Sequence, residues 1–307
     1  MCYIYSNIQF MSTPFKKISS ELTKNKYACS MYLYLLGFIR RIEMKKIISV
    51  IMMAAMVGTM LVGCGKQAAT DWDYIKNKNE LVVGMTLYEP MNYYDESGKL
   101  IGFDTEFAEE VSKIVGVPVK FQEIEWDQKE VELKSRKIDC IWNGLTVTED
   151  RKENMAFSKS YVINEQVVVI NKSNADKFKS LADMDGINVC AESGSAGESA
   201  IEADAHLSTG NYLGVSAQKD ALLEVKAGTC DAAVLDLTLA KAVINEDTDY
   251  SDLMILDGAS LQSEEYAIGF RLEDTQTVKI VNSAIDELVA NGKLAELGEK
   301  YGVDVIK

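Results

Sequence analysis

One histidine, His206, is present in 307 residues, and no two cysteines stand in a CxxC spacing. That scarcity argues against a zinc site of ordinary His/Cys spacing, and a Ser-His-Asp triad would have to be built on the single imidazole. Basic charge is also short: 32 Lys and Arg stand against 47 Asp and Glu, a net charge of −15. The shortage is uneven. Residues 1–63 carry eight basic and two acidic groups, which leaves 24 against 45, a net of −21, in residues 64–307. Such a surface repels phosphate backbones, so nucleic acid is not expected as a partner. No repeat of roughly 20–50 residues marks a solenoid, and no metal cluster or nucleophile–base pair marks an enzyme, so neither catalysis nor a cofactor is expected.

What is present begins with apolar content, 47% of the chain, enough for one large or two ordinary domains. Lys45 and Lys46 precede 17 uncharged residues, 47–63. As a helix at about 1.5 Å per residue this run would reach roughly 25 Å, short of a hydrocarbon core of about 30 Å. It reads as a secretory signal peptide, residues 44–63, and not as a permanent span. The run ends in LVGC, residues 61–64, which resembles the bacterial lipobox. That resemblance implies a diacylated Cys64 at the mature N-terminus, an extracytoplasmic protein and a lipid anchor in the cell membrane; a plain signal peptide cut elsewhere is the alternative. Residues 1–43 then read as an overlong start, with Met44 the true initiator, or as an elongated leader. Three cysteines remain, Cys140, Cys190 and Cys230, each in or beside an apolar strand where a buried thiol is the ordinary outcome. Cys190 and Cys230 could pair if their strands are adjacent.

After a polar tether, residues 64–74, the pattern alternates. Strands are expected at 81–85, 119–122 and 138–142, with helices at 104–115 and 127–135 between them. Asp104 is placed to cap the first helix, Phe107, Val111 and Ile114 share one face, and Gly116 ends it. A DESG turn, residues 95–98, marks a hairpin. A second set follows, with strands at 167–171, 187–191, 213–216 and 232–235 alternating with helices, then a strand at 267–270 and closing helices at 275–291 and 294–301. Two β/α sets and a returning C-terminal segment give an α/β protein of two lobes with parallel sheets, joined by crossing strands.

The densest chemistry lies in KIDCIWNGLTVTEDR, residues 137–151. A buried strand breaks at Asn143 and Gly144, and a helix opens near Thr148. Gly144 permits close backbone approach, Thr146 offers a hydroxyl, and Arg151 presents a guanidinium fork suited to a carboxylate. Together with GFDTEFAEEV, residues 102–111, and GTCDAAVLD, residues 228–236, this stretch resembles the polar amino acid family (family 3) of bacterial extracellular solute-binding proteins, which feed ATP-driven importers. The similarity runs from about residue 81 to the C-terminus.

The resemblance implies a periplasmic-binding-protein-like (type II) fold with a ligand cleft between lobes. Lobe 1 would hold 75–162 and 273–307, lobe 2 would hold 163–272, and the crossings would fall near 161–164 and 271–274. It implies a monomer that binds an L-amino acid and delivers it to an ABC importer permease. Residue by residue, it implies that Arg151 clamps the α-carboxylate with Thr146 nearby, and that backbone groups of Asn143 and Gly144 line the ligand's polar end. Gly194 and Ser195, in a GSAG loop before a helix, would add N–H groups for the carboxylate. Asp236, at a strand end, would pair with the α-ammonium, with an N-cap as its ordinary role. Tyr88 and Trp126 would form aromatic walls. The loop around Tyr88 is one residue shorter than the family pattern, without its usual acidic residue, and a part for Glu89 in specificity stays open. Arg151 and Asp236 would face an open, wet cleft when no ligand is bound. Two other functions use the same fold: a secreted prephenate or arogenate dehydratase, with Glu89 or Asp236 as the acid, and a ligand-sensing module acting through a separate partner.

Overall fold

The computed structural model describes residues 70–306; the leader, the signal segment and Cys64 lie outside the described residues. In chain order the first half supplies α1 (Asp71–Lys78), β1 (Leu81–Met85), β2 (Tyr93–Tyr94), β3 (Leu100–Ile101), α2 (Phe103–Val115), β4 (Val119–Glu123), α3 (Lys129–Lys134), β5 (Cys140–Ile141), α4 (Glu149–Asn154) and β6 (Ala156–Phe157). The second half supplies β7 (Val162–Asn171), β8 (Asn188–Glu192), α5 (Ala196–Ala203), β9 (Asn211–Val215), α6 (Gln218–Ala227), β10 (Ala232–Asp236), α7 (Leu237–Val243), β11 (Leu253–Tyr266), β12 (Gly269–Phe270), α8 (Thr275–Ala290) and α9 (Lys293–Tyr301). No helix among the described residues is long and apolar enough to cross a membrane.

Two five-stranded sheets result, ordered β4-β1-β5-β12-β6 and β11-β7-β10-β8-β9. Each has a parallel part, β4-β1-β5 and β10-β8-β9, as the β/α alternation predicts. The remaining strands are antiparallel, because the chain enters and leaves each lobe on strands that run against the β/α direction. The fold is the two-lobed type II α/β architecture.

β7 and β11 pair antiparallel from Val162↔Tyr266 to Asn171↔Leu253, with register breaks between Ile255 and Gln262. β11 was not expected from the sequence. Its burial pattern is broken by exposed polar residues, so neither period 2 nor a continuous apolar run announces it. The return to the first lobe also lies earlier than expected, because β12 already pairs with β5 and β6. Residues 271–274 are instead an ionic anchor inside that lobe. Arg271 donates to the Leu133 and Ile138 carbonyls and pairs with Asp274 at 2.8 Å. The tether is likewise shorter than expected: α1 begins at Asp71 and buries Trp72 and Ile75.

Packing behind the cleft is aromatic. Phe107 meets Trp142 edge-on at 5.1 Å and Tyr161 at 5.2 Å, which holds the end of β5 and the start of β7 against α2. α2 starts one residue before Asp104, with Gly102 at its N-cap, so Asp104 does not cap it; Ile114 lies at the surface end of the face shared by Phe107 and Val111. Cys140, Cys190 and Cys230 are buried and free, so the pairing left open in the sequence is not made.

Candidate functional site

β5 delivers its chain to the cleft at Asn143 and Gly144. The Asn143 side chain accepts from Thr86 N (3.0 Å) and Oγ1 (2.9 Å) and donates to Thr86 O (2.9 Å) and Asn92 Oδ1 (2.7 Å). Its four hydrogen bonds are therefore spent on tying down the loop before Tyr88. Gly144 has φ +58°, and a Cβ there would come within 2.5 Å of the Tyr88 ring and 3.1 Å of the Tyr266 ring. Its N–H, expected to face ligand, donates to Asp104 Oδ2 at 2.7 Å. Asp104 is fully buried, and burial pushes its carboxyl up to about 7 against the pull of the Gly144 N–H.

Tyr88 forms a wall whose hydroxyl lies 2.7 Å from that of Tyr266, on β11. Trp126 lines the opposite side, with the Lys129 ammonium 4.8 Å from its ring centre. Glu89 faces neither wall. It pairs with Lys219 of α6 at 2.9 Å across the cleft, with both side chains about one-third exposed.

Arg151 emerges from α4, which Thr148 caps through its hydroxyl. Nη1 donates to Thr146 O (2.9 Å), and Nη2 reaches across to Gly194 O (3.1 Å). Lys129 Nζ donates to the same Gly194 carbonyl at 2.8 Å and to Trp126 O at 3.1 Å. Burial, then the Arg151 charge, lower Lys129 to about 8. These contacts bring the lobes together, and Arg151 and Asp236 are 9% and 5% exposed. The GSAG loop also differs from expectation: the Gly194 N–H goes to Glu198 Oε2 (2.6 Å) and the Ser195 N–H to Glu192 O (3.1 Å). Gly194 contributes a carbonyl oxygen. Ser195 Oγ accepts from Glu198 N at 3.2 Å and keeps its own O–H to donate.

Asp236 ends β10. Its Oδ1 accepts from Asn164 (2.7 Å) and Gln166 (2.6 Å), both on β7, and its Oδ2 from Gln218 at the start of α6. It does not cap α7; Asn164 Oδ1 does, accepting from Thr238 N at 3.1 Å. Glu264, on β11, takes donors from Asn164 (2.7 Å), Gln166 (2.9 Å) and Thr146 (2.9 Å). Burial, then the neighbouring Asp236 charge, hold Glu264 well above the usual carboxyl range. The same two causes push Glu192, at the end of β8, up to about 8.

Tyr88, Trp126, Asn143, Gly144, Thr146, Arg151, Ser195 and Asp236 line one cavity, and Gly194 borders it through the carbonyl that accepts from Arg151. Thr86, Glu192 and Gln218 line it as well, unforeseen in the sequence. The strand-end rule that singled out Asp236 applies equally to Glu192. Lys129 and Glu264 gave no such signal: one reads as a solvated helix position, and the other sits on the unrecognised β11. Two lobes hold a charged cavity between them, and the profile of the bacterial extracellular solute-binding proteins, family 3, matches residues 81–304. The chain belongs to that family.

Among relatives of this family 3 protein, the probable amino-acid-binding protein YxeM of Bacillus subtilis is 32% identical, over 82% of this chain and 94% of its own. A substrate-binding protein of an ABC uptake transporter from Streptococcus pneumoniae, solved with bound histidine, is 31% identical with a TM-score of 0.70, over 78% of this chain and all of the other. The ancestral amino acid-binding protein AncCDT-1, described as a precursor of cyclohexadienyl dehydratase, is 28% identical with a TM-score of 0.67, over 75% of this chain and 98% of its own.

Proposed function

We propose that this protein is an extracytoplasmic receptor that closes its lobes over an L-amino acid and delivers it to an ABC importer permease, held to the membrane by lipid on Cys64. One observation carries the reading: the guanidinium of Arg151 from one lobe and the carboxylate of Asp236 from the other line the same closed cavity. A zwitterion presents the complementary pair. Its carboxylate is a stronger acceptor for Arg151 than the Gly194 carbonyl, and its ammonium finds Asp236 already oriented by three amides. Micromolar binding of a ligand of about ten heavy atoms needs roughly 0.8 kcal/mol per atom, which requires near-complete burial. Closure supplies it. Family membership and the amino-acid-binding names of the relatives support the same reading.

A dehydratase reading has one observation in its favour: Glu192, held up at about 8, keeps a proton near neutral pH where an acid would be needed. A single experiment separates the two. Purified protein is screened for thermal stabilisation by the twenty amino acids, the best ligand is titrated calorimetrically, and aromatic product is followed with prephenate and arogenate. Arg151→Ala and Asp236→Asn should each weaken binding by about 30-fold or more, because each leaves a buried ligand charge unpaired. A variant within roughly threefold of wild type removes that residue from the site, and turnover that vanishes in Glu192→Gln would establish the dehydratase reading instead.

A further inference from the structure

Two carboxyl groups line the cavity, Glu192 and Asp236, and a third, Glu264, is bonded to the lining residue Thr146; they are 3%, 5% and 6% exposed. They differ in what they have to bind. Asp236 accepts from three amides, and Glu264 accepts from two amides and a hydroxyl at Oε1 while its Oε2 has no partner among the described residues. Glu192 lines the same cavity, yet among the described residues no donor makes a hydrogen bond to its carboxyl. The two cations of the cleft are turned elsewhere. Arg151 and Lys129 both give donors to the Gly194 carbonyl, and Lys129 gives another to Trp126 O.

Binding of an amino acid does not repair this deficit unless its side chain does. With the α-carboxylate on Arg151 and the α-ammonium on Asp236, Glu192 and Glu264 remain against Lys129 alone. A buried carboxyl without a donor is costly, and an apolar side chain seated against it would leave it so. We propose that the ligand is an L-amino acid with a cationic side chain, and that Glu192 is the specificity-determining residue that pairs with the cation. The assignment rests on the amino acid receptor reading above. Tyr88 and Trp126 suit the same ligand, since aromatic faces attract a cation as well as covering its methylenes. The groups acting on Glu192 are Asp236 on β10, Lys129 on α3, Asp220 on α6 and Arg151 on α4. Burial and Asp236 outweigh the two cations and hold a proton on Glu192, which a cationic side chain would displace.

The test titrates ornithine, lysine and arginine calorimetrically, each against a neutral partner of similar shape: norvaline, norleucine and citrulline. At least one cationic ligand should bind about 30-fold or more tighter than its partner, and Glu192→Gln should reduce that ratio to below about threefold. Near pH 7, titration in two buffers of different ionisation enthalpy should show release of roughly half to one proton per cationic ligand bound. Neutral partners within threefold of every cationic ligand, or a ratio unchanged in Glu192→Gln, would overturn the assignment and leave the receptor reading standing. Absence of binding by any amino acid overturns both. Should Glu192→Gln not fold, the wild-type ratio and proton count decide, and no preference with no proton release counts against Glu192.

Discussion

Asp104 holds a cavity-lining loop without lining the cavity itself. Its Oδ2 accepts the Gly144 N–H, and Phe103 and Phe107 beside it in α2 are fully buried. Burial raises its folded pKa from 3.8 to about 7, so the folded protein holds a proton that the unfolded chain releases above about pH 4. The contribution of this group to stability is therefore complete below pH 3.8 and declines as pH rises through 7. Asp104→Asn keeps an acceptor for Gly144 and removes the titration. Thermal denaturation should show the variant gaining on wild type between pH 5 and pH 8, by on the order of 3 kcal/mol. A difference that does not change with pH would mean that Asp104 stays ionised. Asn143 teaches the same lesson at this scale: a residue on the ligand-binding strand end can be fully engaged in holding another loop.

Among the elements, α1 and α8 are joined by a cap supplied in trans. α8 has no side-chain cap of its own at Asp274. Asp71, the first residue of α1, accepts from Gln276 N at 3.2 Å and Thr277 N at 2.6 Å, which satisfies two of the free N–H groups at that helix start. A carboxylate there also meets the positive end of the helix dipole. Asp71→Ala should cost about 1 kcal/mol in urea denaturation, with Asp71→Asn losing less, because the amide oxygen still accepts. Equal losses in the two variants would show that the charge alone matters. β11 makes a complementary point, since a strand of 14 residues gave no periodic signal and forms because β7 offers it an antiparallel edge.

Polar contacts join the two sides of the cleft. Arg151 and Lys129 share one carbonyl of Gly194, and Glu89 pairs with Lys219 at a partly exposed site worth at most about 1 kcal/mol. The strongly acidic surface of residues 64–307, at −21, would be repelled by anionic lipid, so attachment to a membrane needs the anchor proposed at Cys64. Mass spectrometry of the native protein should find Cys64 as a diacylated N-terminus, with residues 1–63 absent. A peptide containing an unmodified Cys64, or an N-terminus at Met1 or Met44, would refute the anchor.

The sequence by itself determined the local structure: the β/α alternation, the helix ends at Thr148 and Gly116, the glycine break after β5, and the motif order that marks family 3. These features depend on backbone propensity and on residues close together in the chain, so a linear reading reaches them. The resemblance to that family pointed to Arg151 and Asp236, and both line the cavity. Tertiary structure decided how they are used. The positions of Lys129 and Glu264, the diversion of the Gly144 N–H and the anchoring of Arg271 after the chain returns depend on partners 40 to 133 residues away. Whether a buried polar group is free for a ligand is fixed by which distant donors and acceptors reach it first, and only the packed chain settles that competition.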